Sequence, residues 1–273
     1  MNTWPASLAL AGVGKMGGAM LEGWLAGGLA PSAVRLIEPA PSPEIEALAR
    51  LRGLALNAPS GAAAPPDVLV LAVKPQMLDA AAPQLAALAG PRTLVVSIIA
   101  GKTLGDLAAR FPEARAFVRA MPNTPAAIGR GATGAAASED VSRHQKQMTQ
   151  TLLGAVGAFH WLADEALVDA VTALSGSGPA YVFALTEAMA QAGVALGLPA
   201  DLAMSLARAT VEGAGELMFR QPEIPPARLR ENVTSPGGTT AAALAVLLAA
   251  DGLTPLMTRA NPPAHRRAGE LAG

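Results

Sequence analysis

Gly12-Val13-Gly14-Lys15-Met16-Gly17 fits the pattern G-x-G-x-x-G, a weak signal by itself in a chain with 28 glycines. Its setting gives it meaning, because an apolar run precedes it and a helical pattern follows. Gly12 permits a tight turn, Gly14 lets backbone amides approach a pyrophosphate, and Gly17 allows a helix to pack closely on a strand. The helix that opens there offers free N–H groups and the positive end of its dipole. Glu38 follows about 20 residues later, at the end of the next apolar run. A carboxylate there accepts from a ribose 2′-hydroxyl and repels a 2′-phosphate, or else it faces solvent. The loop behind it, Pro39-Ala40-Pro41-Ser42-Pro43, is unusual for such a site, and the choice between NADH and NADPH stays open.

Further residues fall where apolar runs end, at the edge where ligands bind in parallel sheets. These are Val73-Lys74-Pro75, Ser97 with Ala100, and Asn123 in Met121-Pro122-Asn123-Thr124-Pro125. Lys74 could donate a proton, but a lysine before proline is more simply structural or phosphate-neutralising. Two later loops, Leu174-Ser175-Gly176-Ser177-Gly178-Pro179 and Asn232-Val233-Thr234-Ser235-Pro236-Gly237-Gly238-Thr239-Thr240, set hydroxyls and glycines before helix starts. Free N–H groups there suit a carboxylate. The last of the four lysines is Lys146, and the only histidine beyond His160 is His265. Oxidising a hydroxyl requires a base, usually Lys or His. Reducing a protonated imine does not: hydride completes the reaction and the amine keeps its proton. Such chemistry requires positioning, a carboxylate clamp and one hydroxyl donor.

The elements that must position these groups divide the chain in two. In the first half short apolar runs (Ser7–Ala11, Val34–Ile37, Asp67–Val73, Thr93–Ile99, Ala116–Ala120) alternate with helical patterns over Met16–Ala26 and Pro43–Arg52. Thr103, with Asp106 three residues on, caps another helix. Continuous apolar strands between helices mean a parallel sheet covered on both faces. A helix over Ser138–Val156 packs on the sheet edge. Beyond Leu162 helical periodicity dominates, over Pro179–Val194, Pro199–Met218 and Thr239–Ala250. The expected organisation is α/β: a Rossmann-like parallel-sheet domain over residues 1–162 and an all-helical domain over 163–273.

Composition excludes several classes. Of the 273 residues 51% are hydrophobic and 15% charged, which rules out a disordered chain. A net charge of −1 gives no electrostatic case for nucleic acid or anionic membrane. The absence of cysteine removes thiolate chemistry and disulfides. His144, His160 and His265 are too scattered for a metal site. The longest charge-free stretch, Asn232–Ala250, is interrupted by the turn signal Ser235-Pro236-Gly237-Gly238 and is no spanning helix. Lys15 closely follows the apolar start with no basic residue before it, a poor signal peptide. A cytoplasmic protein is expected.

The chain resembles the pyrroline-5-carboxylate reductase family through Gly12–Gly17, Ala72–Pro75, Val95–Gly101, Arg119–Pro125, Asp169–Tyr181 and Asn232–Thr240. The last two segments are specific to that family. The resemblance implies reduction of L-1-pyrroline-5-carboxylate to L-proline by NADPH or NADH. It implies that Gly12–Gly17, Ser60, Val73, Lys74, Ala100, Glu165 and Asn232 contact the cofactor. Glu223, Ser235, Gly238, Thr239 and Thr240 would hold the substrate, with the Thr240 hydroxyl on the ring nitrogen. It further implies an intertwined homodimer, often assembled as five dimers. Two departures stand out: Glu38-Pro39-Ala40 replaces the Ser/Thr or Asn-Arg patch that suits a 2′-phosphate, and Asn261-Pro262-Pro263 is expected to break the last helix. A β-hydroxyacid dehydrogenase shares the two-domain plan but needs a helical-domain lysine that is missing here. A non-catalytic dinucleotide sensor would leave the Ser175–Tyr181 and Ser235–Thr240 loops without purpose.

Overall fold

The computed structural model describes residues 3–58 and 64–270. The chain forms two compact units, residues 1–177 with 264–273, and residues 178–263. The first contains β1 (Leu8–Ala11), α1 (Lys15–Ala26), β2 (Val34–Ile37), α2 (Pro43–Arg52), β3 (Ala55–Leu56) and β4 (Val68–Leu71). It continues with α3 (Leu78–Ala86), β5 (Leu94–Ser97), α4 (Leu104–Arg110), β6 (Ala116–Met121), β7 (Gly131–Ala137), α5 (Arg143–Gly154), β8 (Gly157–Trp161) and α6 (Leu167–Val171). The strands form one sheet in the order β3-β2-β1-β4-β5-β6-β7-β8. All neighbours run parallel except β6 and β7, which are antiparallel. The chain builds outward from β1 through β2 and β3, then returns to place β4 on β1's other side. That reversal leaves a crevice at the carboxyl ends of β1 and β4.

Alternation along each strand divides the core between the two faces. Leu8, Leu10, Leu36, Val68, Val70, Leu94, Val96 and Val118 point to one side. There they meet Met20, Leu21 and Trp24 of α1, and Met148, Leu152 and Leu153 of α5. The Trp24 indole is fully buried and its Nε1–H donates to the Leu152 carbonyl at 2.8 Å, which ties the two helices at a fixed height. Ala9, Ala11, Leu69, Leu71, Val95 and Phe117 face the other side, against Leu78 and Leu85 of α3 and Leu107 and Phe111 of α4. The α4 start carries the expected capping box, with Asp106 N–H donating to Thr103 Oγ1 and Thr103 N–H to the Asp106 carboxylate.

Three features depart from expectation. Strands β3, β7 and β8 lie where the sequence pattern shows no strand. The helix expected over Ser138–Val156 is confined to Arg143–Gly154, and the extended β8 follows it at Gly157. Strand β7 reads Gly-Ala-Thr-Gly-Ala-Ala-Ala because larger residues would not fit: a Cβ on Gly131 would lie 2.8 Å from the Val156 carbonyl oxygen, and one on Gly134 2.9 Å from Val171. The third departure is the last helix.

The second unit holds α7 (Gly178–Ala195), α8 (Ala200–Arg220), α9 (Pro226–Asn232), α10 (Thr239–Leu247) and the larger part of α11 (Leu253–Glu270). The expected break at Pro262-Pro263 is absent, and α11 runs unbroken through both prolines. Proline's fixed φ is already helical, so the cost is two missing N–H donors and the crowding of each ring against the carbonyl four residues back. The carbonyls that lose them, on Thr258 and Arg259, belong to exposed residues that water can serve. The Asn261 side-chain amide meanwhile donates to Met257 O at 3.0 Å. Helices α7 and α8 pack through small residues, with Gly193 against Ala203. Within 178–263 the buried residues are Ala190, Ala203 and Ala207, while Phe183, Leu185, Leu206 and Val246 are exposed in the single chain. No helix of the described residues is long and apolar enough to cross a membrane.

Candidate active site

The crevice at β1 and β4 opens into a cleft of about 720 Å³. Gly12, Val13, Gly14, Lys15, Glu38, Val73 and Lys74 line it, as expected of cofactor ligands, together with Ala40, Ser42, Ile45 and Met77. The three motif glycines are required for different reasons. At Gly12 φ is +89°, and a Cβ would sit 2.6 Å from Ala72 O. At Gly17 a Cβ would lie 2.2 Å from Gly12 O. Those two are demanded by the fold itself. Around Gly14 a Cβ would meet nothing within 4 Å, and its φ of −73° suits any residue. Nothing in the protein requires glycine at this position; open space beside a helix start does so only if a ligand comes close.

That helix start is free of the protein's own side chains. Gly14 is the N-cap of α1, no side chain caps it, and the first turn carries no acid. The N–H groups of Lys15, Met16 and Gly17 therefore open α1 with its dipole's positive end exposed to the cleft, an arrangement suited to a pyrophosphate. An open cradle at Gly14, an uncapped helix and a crevice at the topological switch point fit a nicotinamide dinucleotide.

Glu38 stands at the cleft's far end, anchored on every side. Its Oε2 accepts from Val13 N–H at 2.8 Å and its Oε1 from Ala40 N–H at 3.2 Å. Its backbone is clamped by Asn57, whose Oδ1 accepts from Glu38 N–H at 2.9 Å and whose Nδ2 donates to Glu38 O at 2.8 Å. Asn57 sits at φ +50°, the left-handed conformation that asparagine tolerates. Sequence reasoning missed Asn57. The signal that could have found it is an asparagine closing the short β3 beside the end of β2.

The other expected cofactor residues occupy varied positions. Met16 and Gly17 lie in the first turn of α1, and Pro75 begins a 3-10 turn after Lys74. Ser97 is fully buried, its hydroxyl accepting from Ile99 N–H at 3.2 Å, so that it shapes the turn leading to Ala100. Asn123, 8% exposed, donates to Ser175 O at 3.0 Å and accepts from Ala132 N–H at 2.8 Å. Its amide thereby joins the end of β6 to β7 and to the π-helical turn Thr172–Gly176. Glu165 accepts from Leu104 N–H at 2.7 Å, at the start of α4, and lies 3.4 Å from Arg119. Arg119 is 3% exposed and bonds Asp169 at 2.6 Å. Ser60 lies outside the described residues.

The helical unit holds the remaining positions. Glu223 is exposed between α8 and α9, and Asn232 ends α9. Ser235 O accepts from Gly238 N–H at 3.0 Å, with Gly237 at φ +69° turning the chain into α10. Gly238 is the N-cap of α10, again without a side-chain cap, and Thr239 and Thr240 are exposed in its first turn. Among the described residues no group of three or more His, Asp or Glu could hold a metal ion.

Comparison with known proteins matches both parts. Residues 165–271 match a family described as pyrroline-5-carboxylate reductase dimerisation. Residues 7–101 match one described as NADP oxidoreductase, coenzyme F420-dependent. A pyrroline-5-carboxylate reductase of Pseudomonas aeruginosa is 40% identical over 265 residues, covering 97% of this chain and 96% of the relative. The solved pyrroline-5-carboxylate reductase of Coxiella burnetii superposes with a TM-score of 0.90 at 33% identity, over 98% of this chain and 99% of that one. That of Plasmodium falciparum, solved with NADP bound, gives 0.77 at 25% identity over 98% of each chain.

Proposed function

We propose, from the premise that the chain belongs to the pyrroline-5-carboxylate reductase family, that it reduces L-1-pyrroline-5-carboxylate to L-proline with NAD(P)H. The observation that carries the reading to this molecule is the open cradle at Gly14, a glycine that the protein's own packing leaves unexplained. When bound, the nicotinamide cofactor supplies hydride to the imine carbon. The chain's own residues supply placement. Backbone amides of Gly14–Gly17 would hold the pyrophosphate, and Val73, Lys74, Ser97, Ala100, Asn123, Glu165 and Asn232 would supply the remaining cofactor contacts.

In the helical unit the uncapped start of α10 offers N–H groups to the substrate carboxylate, through Gly238, Thr239 and Thr240. Ser175, Glu223 and Ser235 complete the substrate contacts, and the Thr240 hydroxyl bonds the ring nitrogen. A positioned donor stabilises the nitrogen as it gains electron density, and no protein base is required. The dinucleotide-binding domain is assigned residues 1–162 and the substrate-binding and dimerisation domain residues 163–273. The chain works as a homo-oligomer built from dimers, five in the ring the family suggests, in the cytoplasm. Exposed Phe183, Leu185 and Leu206 support the dimer.

The test is consumption of NAD(P)H by purified protein. The cyclic imine acid should be reduced, and 3-hydroxy acids should not turn over in the reverse direction. Turnover of hydroxy acids with none on the imine would overturn the reading.

A further inference from the structure

We propose that the Glu38 end of the cleft refuses a 2′-phosphate, so that this chain uses NADH in preference to NADPH. The inference rests on the reading that the cleft binds a nicotinamide dinucleotide. It concerns which one.

Three observations carry it. The first is the carboxylate itself. With the pyrophosphate at α1, the adenosine ribose lies over the end of β2, where Glu38 stands. A carboxylate has about four lone-pair sites. Val13 and Ala40 use two of them, which fixes the group while leaving acceptors for a ribose hydroxyl. Asn57 fixes the backbone on both sides, so the charge cannot swing clear of a phosphate without giving up these bonds.

The second observation is that the neighbouring helix start is poor in amides to offer a phosphate. Helix α2 opens with Pro43, which has no N–H, and Ile45 N–H points to Ser42 Oγ. Glu46 N–H bonds Ser42 O. The Ser42 side chain and the backbone of Glu44 hold the Glu44 carboxyl below its usual range, so it is charged. Two of the three N–H groups of the first turn are thus taken locally, and Glu44 and Glu46 add negative charge to that helix start.

The third is the lack of a compensating cation. The loop Pro39-Ala40-Pro41-Ser42 has no lysine or arginine. Arg35 pairs with Ala9 in the strand register, two residues before the end of β2. Lys74 follows β4, two strands from β2, or about 10 Å at ordinary strand spacing. Lys15 belongs to the first turn of α1, beside the pyrophosphate amides.

Equilibrium titration of the full chain with NADH and with NADPH, no imine present, tests this. NADH should bind at least about tenfold tighter, the scale of one hydrogen bond to a charged group. Added salt should narrow the gap, because the rim charges are exposed. In Glu38→Gln the amide oxygen can still accept from Val13 N–H, so the fold should hold while the NADPH-to-NADH ratio of Kd falls about tenfold. Asn57→Gly keeps the left-handed backbone and removes the clamp, and should narrow the ratio in the same direction. Equal or tighter binding of NADPH by the parent overturns the proposal, as does an unchanged ratio in Glu38→Gln. Both readouts are independent of imine reduction. A protein that prefers NADH yet ignores the imine would overturn the proposed reaction and leave this inference standing.

Discussion

The glycine loop allows packing and binding to be separated by paired substitutions. In Gly17→Ala the new Cβ starts 2.2 Å from Gly12 O, against an ordinary contact of 3.4 Å or more. Helix α1 and the β1 loop must part by more than 1 Å in a rigid, close-packed layer. Such overpacking costs about 3 kcal/mol, which lowers Tm by roughly 6–12 °C in a domain of this size. In Gly14→Ala the Cβ meets nothing. Alanine caps a helix slightly worse than glycine, by about 0.5 kcal/mol, and constrains the unfolded chain by a similar amount. The two offset, and Tm should stay within about 2 °C. Binding should respond oppositely. A methyl at Gly14 occupies the approach to the first-turn amides, and loss of one charge-assisted bond weakens NAD(P)H by roughly ten- to a hundredfold. Thermal melts and calorimetric titration of both variants give the comparison. A Gly14→Ala variant that binds the cofactor like the parent would refute the placement of the pyrophosphate. One that melts as low as Gly17→Ala would refute the packing argument.

Thr240→Val should keep fold and cofactor affinity while kcat falls roughly 10- to 1000-fold, as expected for a lost positioned donor. Thr240→Ser should recover most of the rate, and an active valine variant would remove the hydroxyl from the mechanism. Burial raises the Asp106 carboxyl, but the Thr103 backbone and hydroxyl, with Lys102 and Arg110, outweigh it and hold the group below its usual 3.8. A lowered folded pKa stabilises above the unfolded value, and that contribution disappears as pH falls through the folded one. Asp106→Asn should therefore cost about 1 kcal/mol at pH 7, and chemical denaturation at a pH well below the ordinary carboxylate range should show a shrinking difference from the parent. Arg119→Ala would strand Asp169 and Glu165 in a largely buried site and should cost about 3–5 kcal/mol; a loss under about 1 kcal/mol in urea melts would mean that water screens the pair.

How much the sequence shows depends on whether local pattern or distant neighbours choose each residue. Strands β1, β2, β4, β5 and β6 are legible because burial in a covered sheet demands apolar runs, whereas the two-residue β3 is too short to leave a pattern. Thr103 and Asp106 are legible because a capping box is contained within one turn. Strand β7 is not, since its glycines and alanines answer to Val156, Val171 and the facing Gly157 rather than to strand propensity. The unbroken α11 is hidden for a related reason, because proline's cost depends on whether water reaches the freed carbonyls. In the candidate site, the glycine spacing and the position of Glu38 point to two parts of the chain that the fold brings to one cleft. Neither Asn57 nor the closing of the α2 start can be read, because each depends on which donor meets which acceptor across a turn.

The strands of the sheet are complete by Trp161, so the sheet and both its faces are specified by little more than the first half of the chain. Recovery of that region after denaturation depends on one molecule alone. The stretch from Gly178 to Pro263 has only three alanines to bury for itself, and what it lacks a second chain of the homo-oligomer must supply. Its recovery is then a collision problem, with a rate that rises with protein concentration. Diluted tenfold during refolding, the same polypeptide should regain its Trp24 environment on an unchanged schedule and its helical half about tenfold more slowly.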